Sequence, residues 1–191
     1  MVSTLGLPPM VGVLVAVIAC TVLGVVIERV AYKPLRGASS LAVLITAIGV
    51  SYLLQNVALL IFGSNARQFT SVVNVPSLKL AGGALSISGV TLVTIITCIV
   101  IMVALTTFIN KTRVGQAMLA VSEDTGAATL MGINVNSTIA ITFAIGSALA
   151  AIAGALLCSA YPSLTPYTGS MPGIKAFVAA VFGGIGSLPG A

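Results

Sequence analysis

Residues 110–136 read NKTRVGQAMLAVSEDTGAATLMGINVN and lie between two apolar runs, Val90–Ile109 and Ser137–Ala160. We refer to 110–136 as the central segment. It contains two of the three carboxylates of the chain, Glu123 and Asp124. Each flanking run is long enough to cross a bilayer as a helix, which takes about 20 apolar residues. The pattern predicts a polar segment held at a membrane face, and it is either a solvated connector or a docking surface.

Composition supports a membrane protein. Of 191 residues, 58% are hydrophobic and only 6% are charged, whereas a soluble domain has about 25% charged residues. The net charge of +5 comes from scattered cations that form no basic stripe, so we expect no nucleic-acid partner. Histidine is absent, and Cys20, Cys98 and Cys158 lie inside apolar runs. We therefore expect no catalytic residues and no metal site.

The other apolar runs complete the predicted fold. Met10–Ile27 and Leu41–Phe62 are also of membrane-spanning length. A fifth run begins at Ile174–Val181 and meets the glycine-rich stretch Gly183–Ala191, which is typical of a broken helix or a re-entrant turn. The sequence predicts an all-α polytopic integral membrane protein, a single domain over 1–191, with about five membrane segments, the last truncated.

Lysines and arginines indicate the orientation, because they are enriched in cytoplasmic loops. The loop 28–37 and the central segment, which alternation places on one side, hold five cations against three on the other side. The five are Arg29, Lys33, Arg36, Lys111 and Arg113, and the three are Arg67, Lys79 and Lys175. The bias places the central segment in the cytoplasm and the N-terminus of this chain outside.

The two predicted outer loops have patterns of their own. In the first, Leu78–Ala81 and Ala84–Ser88 flank Gly82-Gly83, which predicts a short hairpin that turns on two glycines. The second, residues 161–173, contains three prolines and cannot be regular helix throughout.

Small residues recur in the fourth span, where Gly146, Ala150 and Gly154 are four residues apart. A stripe of small residues lets two membrane helices approach closely. The alternative is a membrane helix that is simply rich in alanine and glycine.

Polar side chains interrupt the second span at Thr46, Ser51, Gln55 and Asn56. Amides in hydrocarbon are costly unless they are hydrogen bonded, so we expect them to face protein or water. They either line a transport pathway or form hydrogen bonds of purely structural value.

Within the central segment, Gln116–Met131 can form a short amphipathic helix. Gly132 suits the position just past a helix C-terminus. Ser122 is a candidate cap for a second turn, which would place Glu123 and Asp124 near the positive end of that helix.

Ala127-Ala128, three residues and Gly132 resemble the A-A-x-x-x-G part of the EAA loop of ABC importer permeases. The wider pattern resembles the branched-chain amino acid permease family, on its LivH-type side, over nearly everything after Cys20. The matching stretches are Glu28-Arg-Val-Ala-Tyr-Lys-Pro-Leu-Arg36-Gly, Thr46-Ala-Ile-Gly49, Arg113-Val-Gly-Gln-Ala, Glu123-Asp, Gly132-Ile-Asn-Val, Ala148-Leu-Ala-Ala-Ile-Ala-Gly154, Pro166-Tyr, Lys175-Ala-Phe and Gly183-Gly-Ile-Gly-Ser-Leu-Pro-Gly.

The resemblance implies a function. The chain would be a permease subunit of an ATP-driven ABC importer for leucine, isoleucine and valine, in the inner membrane of a bacterial or archaeal cell. Its partners would be a second, LivM-like permease subunit, two cytoplasmic ATPase subunits, an extracytoplasmic binding protein and the lipid bilayer. It would bind no cofactor, since the ATPases bind and hydrolyse ATP. The coupling residues would be Glu123, Asp124, Ala127, Ala128 and Gly132.

The chain departs from this pattern in two ways. Gly126 stands where the EAA motif has glutamate, and the I-x-L-P that follows in other importers is missing. The family usually has further membrane helices before Met10 and after Ala191, which suggests a fragment. The alternatives are the same machinery for urea, amides or other amino acids, and a non-transporting membrane scaffold or truncated fragment.

Overall fold

A computed structural model describes residues 9–68, 78–80 and 85–183, and helices form most of its regular structure. The α-helices are α1 Pro9–Ile27, α2 Ser40–Phe62, α3 Gly89–Lys111, α4 Arg113–Glu123, α5 Thr125–Leu130, α6 Val135–Ala160 and α7 Ser170–Phe182. The strands are β1 Arg67–Gln68, β2 Leu78–Leu80, β3 Leu85–Ile87 and β4 Ser163–Leu164.

Four helical stretches in the described part are long and apolar enough to cross a membrane. They are Val11–Leu35, Leu41–Phe62, Gly89–Lys111 and Val135–Ala160. Large apolar side chains on these helices are exposed, as lipid-facing helices require. The fifth apolar stretch is the shorter helix α7, of 13 residues. The predicted class, an all-α polytopic membrane protein, is confirmed.

The first span does not end in a loop at Glu28, as the sequence predicted for 28–37. It continues as a π-helical turn, Glu28–Tyr32, and then as a 3₁₀ turn, Lys33–Leu35. Pro34 has no backbone N–H and cannot continue the α-helical ladder, so the helix ends within that last turn. Glu28, the first residue of this extension, is paired with Arg36.

The structure divides into two compact units. The first comprises the described part of Met1–Ser64 together with Arg113–Ala155. In it, α1 and α6 approach closely at Gly24, where an added Cβ would lie 1.8 Å from the Ser147 Oγ and 2.6 Å from its Cβ. Nearby, the rings of Tyr32 and Phe143 lie 5.0 Å apart and are tilted by 45°. These contacts hold the two helices together as an antiparallel pair.

The second unit comprises Asn65–Thr112 and Leu156–Ala191, as far as the structure describes them. Its strands β1 and β4 pair antiparallel, with Arg67 opposite Leu164. Strands β2 and β3 also pair antiparallel, with Leu80 opposite Leu85, and this confirms the predicted hairpin. Gly82-Gly83 lies outside the described residues.

Loop contacts within each unit agree with the predicted alternation of sides. In the second unit, β1 and β4 join the two predicted outer loops, and β4 and the turns around it replace helix over 161–169 as the prolines predict. In the first unit, Arg36 donates to Asn136, which joins the two loops predicted to be cytoplasmic. Which pair faces the cytoplasm stays a prediction, as does a single domain over 1–191. The glycine-rich stretch after Gly183 lies outside the described residues.

Candidate functional site

The central segment folds into two helices, α4 and α5, in place of the one predicted over 116–131. They separate at Asp124, whose backbone is extended, with φ −152° and ψ 112°. Its carboxylate Oδ1 accepts hydrogen bonds from the backbone N–H of Gly126 at 2.7 Å and of Ala127 at 3.1 Å. Asp124 therefore caps α5, and its negative charge suits a helix N-terminus.

The prediction that Ser122 provides this cap is wrong. Ser122 lies in the last turn of α4, and its hydroxyl donates to the Leu119 carbonyl oxygen at 2.7 Å. A serine inside a helix commonly bonds back to the preceding turn. The chain uses Asp124, which lies one residue before α5.

Gly132 closes the other end of α5. It adopts φ +79°, its N–H donates to the Thr129 oxygen at 3.0 Å, and the Ile133 N–H donates to the Ala128 oxygen at 3.0 Å. This pair of bonds is a Schellman motif. A Cβ at Gly132 would meet nothing within 4 Å among the described residues, so glycine is favoured there by backbone conformation. The predicted place of Gly132 just past the helix is confirmed.

The side chains of this short helix divide between interior and solvent. Ala128 is only 3% exposed, whereas Ala127 is exposed. At the C-terminus of α5, Leu130 is 91% exposed and Met131 is 82% exposed. We call Leu130 and Met131 the apolar tip. Large apolar side chains in solvent are a typical sign of an interaction site.

Gly126 has a local role in the cap. An added Cβ at this position would lie 3.2 Å from the Asp124 Oδ1, closer than an ordinary van der Waals contact. Glycine in place of the expected glutamate thus leaves room for the Asp124 carboxylate to approach two backbone N–H groups. Glu123, the last residue of α4, is exposed and keeps its carboxylate in solvent.

A polar cluster at the end of the central segment was missed by sequence reasoning. Glu28 is only 3% exposed and forms an ion pair with Arg36, which also donates to the Asn136 side-chain oxygen. We call these three residues the Arg36 clasp. A signal was present, since a lone carboxylate at the end of a membrane span is costly unless it is paired.

The polar residues of α2 have partners within their own helix. The Thr46 hydroxyl donates to the Ala42 oxygen at 2.8 Å, the Gln55 amide to the Ser51 hydroxyl at 3.4 Å, and the Asn56 amide to the Tyr52 oxygen at 2.7 Å. Such bonds reduce the cost of polar groups in a membrane. The structure does not bring these residues to the central segment, and their pathway-lining role stays a prediction.

The predicted packing stripe of α6 is open within the described part of the chain. A Cβ at Gly146 or Gly154 would meet nothing within 4 Å there. The close approach occurs instead at Ser147, next to Gly24 on α1. Packing through Gly146, Ala150 and Gly154 stays a prediction.

Comparison with known proteins now identifies the family. A family model described as the branched-chain amino acid transport system permease component matches residues 1–191. The chain is 44% identical over 182 residues to the high-affinity branched-chain amino acid transport system permease protein LivH of Salmonella typhimurium, a match that covers 94% of this chain and 59% of that protein.

Two further permeases are also similar to the chain. The chain is 42% identical over 178 residues to the high-affinity branched-chain amino acid transport system permease protein BraD of Pseudomonas aeruginosa, which covers 92% of this chain and 58% of BraD. It is 30% identical over 104 residues to the fructose import permease protein FrcC of Rhizobium meliloti, which covers 54% of this chain and 28% of FrcC. No solved structure matches the chain.

The chain thus spans well under two thirds of the length of these curated relatives. The family model nevertheless matches it from the first residue to the last. This protein therefore belongs to the family of branched-chain amino acid transport permease components, which are transporter subunits and not enzymes.

Proposed function

We propose that this chain forms part of the permease subunit of an ATP-driven ABC importer for leucine, isoleucine and valine. The observation that carries the proposal is the apolar tip, which lies at the end of a capped helix in the stretch of sequence that connects the membrane-spanning helices α3 and α6. The names of LivH and BraD, which are branched-chain amino acid permeases, support the substrate class. The location would be the inner membrane of a bacterial or archaeal cell.

The apolar tip would dock on a cytoplasmic ATPase subunit. Two exposed apolar side chains on a helix of fixed length suit insertion into an apolar groove, a common mode of helix recognition. The closed ends of α5, at Asp124 and Gly132, restrict its motion before docking. A preorganised element loses less conformational entropy on binding, so the capped helix is a suitable contact for a partner that must push on it repeatedly.

The docked segment would transmit force to the membrane. α5 is separated from α6 by only four residues, Met131 to Asn134, so displacement of α5 would move the start of α6. Closure of two ATPases, each docked on one permease subunit, would re-orient the helices as rigid bodies. The second, LivM-like subunit would supply the other half of the pore, and the binding protein would deliver substrate from outside. ATP would bind only to the ATPases.

The test is reconstitution of the full-length permease that contains this chain, with its partner permease, ATPases and binding protein, in liposomes. We expect ATP-dependent uptake of labelled leucine, with competition by unlabelled isoleucine and valine. Uptake that does not require ATP, or the lack of any leucine uptake by the assembled complex, would reject the proposal.

A second substrate class has one supporting observation, the match to a permease named for fructose import. The competitor panel should therefore include fructose, together with urea, acetamide and other amino acids. If one of these competes and isoleucine and valine do not, the machinery is retained and the substrate assignment is wrong. A complex that assembles and transports no compound of the panel would favour a scaffold.

A further inference from the structure

The Arg36 clasp joins two helices that are far apart in sequence. The Arg36 Nη2 donates to the Glu28 carboxylate Oε1, and Nη1 donates to the Asn136 Oδ1. Glu28 belongs to the π-helical turn that extends α1, and Asn136 lies in the first turn of α6. The planar guanidinium presents several donors in a fixed fork, so one side chain holds both helix ends.

The ion pair of the clasp is largely buried, whereas the bond from Arg36 to Asn136 is exposed. The side chains of Glu28 and Arg36 are 4% and 24% exposed. A buried carboxylate needs a partner, because an unpaired charge in an apolar surrounding is costly. Arg36 is thus fixed by Glu28 on one side, and on the other side it donates to the exposed Asn136 side chain.

Asn136 stands where movement of the central segment reaches the membrane. It follows Gly132 by four residues and is the second residue of α6. That helix is capped by Asn134, whose Oδ1 accepts from the Ser137 N–H at 3.2 Å. The cap ties the residue before α6 to the first turn of the helix. A displacement of α5 would therefore reach Asn136, which lies in this first turn of α6.

Two other contacts between α1 and α6 in the described part of the chain are steric. The close approach of Gly24 to Ser147 and the tilted ring pair of Tyr32 and Phe143 follow in antiparallel order along the two helices. These contacts limit the sliding of the two helices past each other but do not resist their separation. The polar clasp at the end near the central segment is the contact that can transmit tension, because hydrogen bonds to a charged group resist separation.

We propose that Arg36 is a positioning residue for energy coupling, which transfers displacement of the central segment from α6 to α1. The inference rests on the proposed function, since it presumes an ATPase that moves the segment. Arg36 contacts no substrate in this role and acts through Glu28 and Asn136. Without Arg36, α6 would move with the ATPase and α1 would not.

The cleanest test breaks the link at Asn136, because Asn136→Ala leaves the buried ion pair of Glu28 and Arg36 intact. Asn136→Asp keeps the acceptor oxygen for Arg36. Ser137→Ala, at the neighbouring exposed position of the same turn, is the matched control. Each variant is made in the full-length permease and reconstituted as the complete importer, and leucine transported per ATP hydrolysed is measured.

For Asn136→Ala we expect normal assembly, normal ATP hydrolysis and a fall in leucine per ATP of about tenfold, the factor that corresponds to loss of one hydrogen bond to a charged group. Asn136→Asp and Ser137→Ala should keep the ratio of the unmodified importer. An unchanged ratio in Asn136→Ala, or an equal fall in Asn136→Asp, would overturn the proposal.

If Asn136→Ala yields too little complex, Arg36→Lys decides. The lysine ammonium keeps the ion pair with Glu28 but lacks the fork that also reaches Asn136. The same fall in leucine per ATP is expected, and an unchanged ratio would overturn the proposal. An unmodified importer that transports no leucine would instead reject the proposed function, so the two failures are distinct.

Discussion

Gly24 and Ser147 lie so close that a methyl group at position 24 would fall 1.8 Å from the serine Oγ. No rotation of the hydroxyl relieves this, because the Ser147 Cβ would also be only 2.6 Å away. The backbones of α1 and α6 therefore approach as closely as the absence of a side chain permits, which is how membrane helices gain packing energy.

Gly24→Ala should separate these helices. We expect a destabilisation of about 1–3 kcal/mol, typical of overpacking, seen as a lower Tm of the detergent-purified permease. Gly146→Ala is the matched control on α6, because its Cβ would meet nothing within 4 Å among the described residues. Adding Ser147→Gly to Gly24→Ala should restore most of the Tm, and no restoration would argue against this contact.

Asp124→Ala should loosen α5 without unfolding the membrane helices. Loss of a side-chain cap costs about 0.5–2 kcal/mol, and here two backbone N–H groups lose their acceptor. The measurement is hydrogen exchange, with faster exchange expected at Gly126 and Ala127. Asp124→Asn keeps an oxygen acceptor and should exchange nearly as slowly as the unmodified chain. Equal rates in both variants would contradict the assigned cap.

Gly132→Ala should strain the end of α5. At φ +79° an L-residue with a Cβ costs about 1–2 kcal/mol relative to glycine. Because the space around the position is open, the cost is conformational, and Gly132→Asn should lose less, since asparagine tolerates this conformation. The Tm and hydrogen exchange at Ile133 check both variants. A larger loss for asparagine than for alanine would point to a steric cause instead.

Leu130→Glu with Met131→Glu should abolish docking while leaving the fold intact. Both side chains are exposed, so their replacement buries no charge within this chain. If the apolar tip enters an ATPase groove, we expect a loss of about 2 kcal/mol or more in affinity, as for interface anchors, measured as ATPase recovered with the tagged permease. Ser122→Glu, also exposed, is the control for added negative charge. Full recovery of the ATPase with the double variant would exclude the tip as the contact.

Single cysteines should decide the role of the polar residues in α2. In a permease without Cys20, Cys98 and Cys158, we expect Gln55→Cys or Asn56→Cys to react with a small aqueous thiol reagent in at least one state of the transport cycle. Val57→Cys, about 200° around α2 from Gln55 and at a similar depth, should stay unreactive. If all three positions are equally protected in every state, Gln55 and Asn56 have a structural role.

The sequence predicted what depends on local pattern. The membrane spans follow from apolar runs, the hairpin at Leu78–Ile87 from strand residues around two glycines, and the end of α5 from the backbone freedom of Gly132. Each of these is set by residues close in the chain, and hydrophobic periodicity and turn chemistry report on such residues directly.

What the sequence could not predict depends on contacts across the chain or on small differences in energy. The Arg36–Asn136 bond joins residues 100 positions apart, and nothing in either neighbourhood specifies the other. The segment predicted as a loop from Glu28 is helical, and the partner of Glu28 lies eight residues further on, at Arg36. Aspartate and serine are about equally favoured as helix caps, so residue type does not separate Asp124 from Ser122.

The closed ends of α5 also have an evolutionary consequence. Asp124 and Gly132 fix the helix through backbone hydrogen bonds, so the exposed side chains between them carry little of its stability. Those side chains are then free to change without unfolding the helix. If the apolar tip docks on an ATPase, a cell with several importers needs each permease to bind its own ATPase and not the others, and a short helix with fixed ends and a variable tip could acquire that selectivity one substitution at a time.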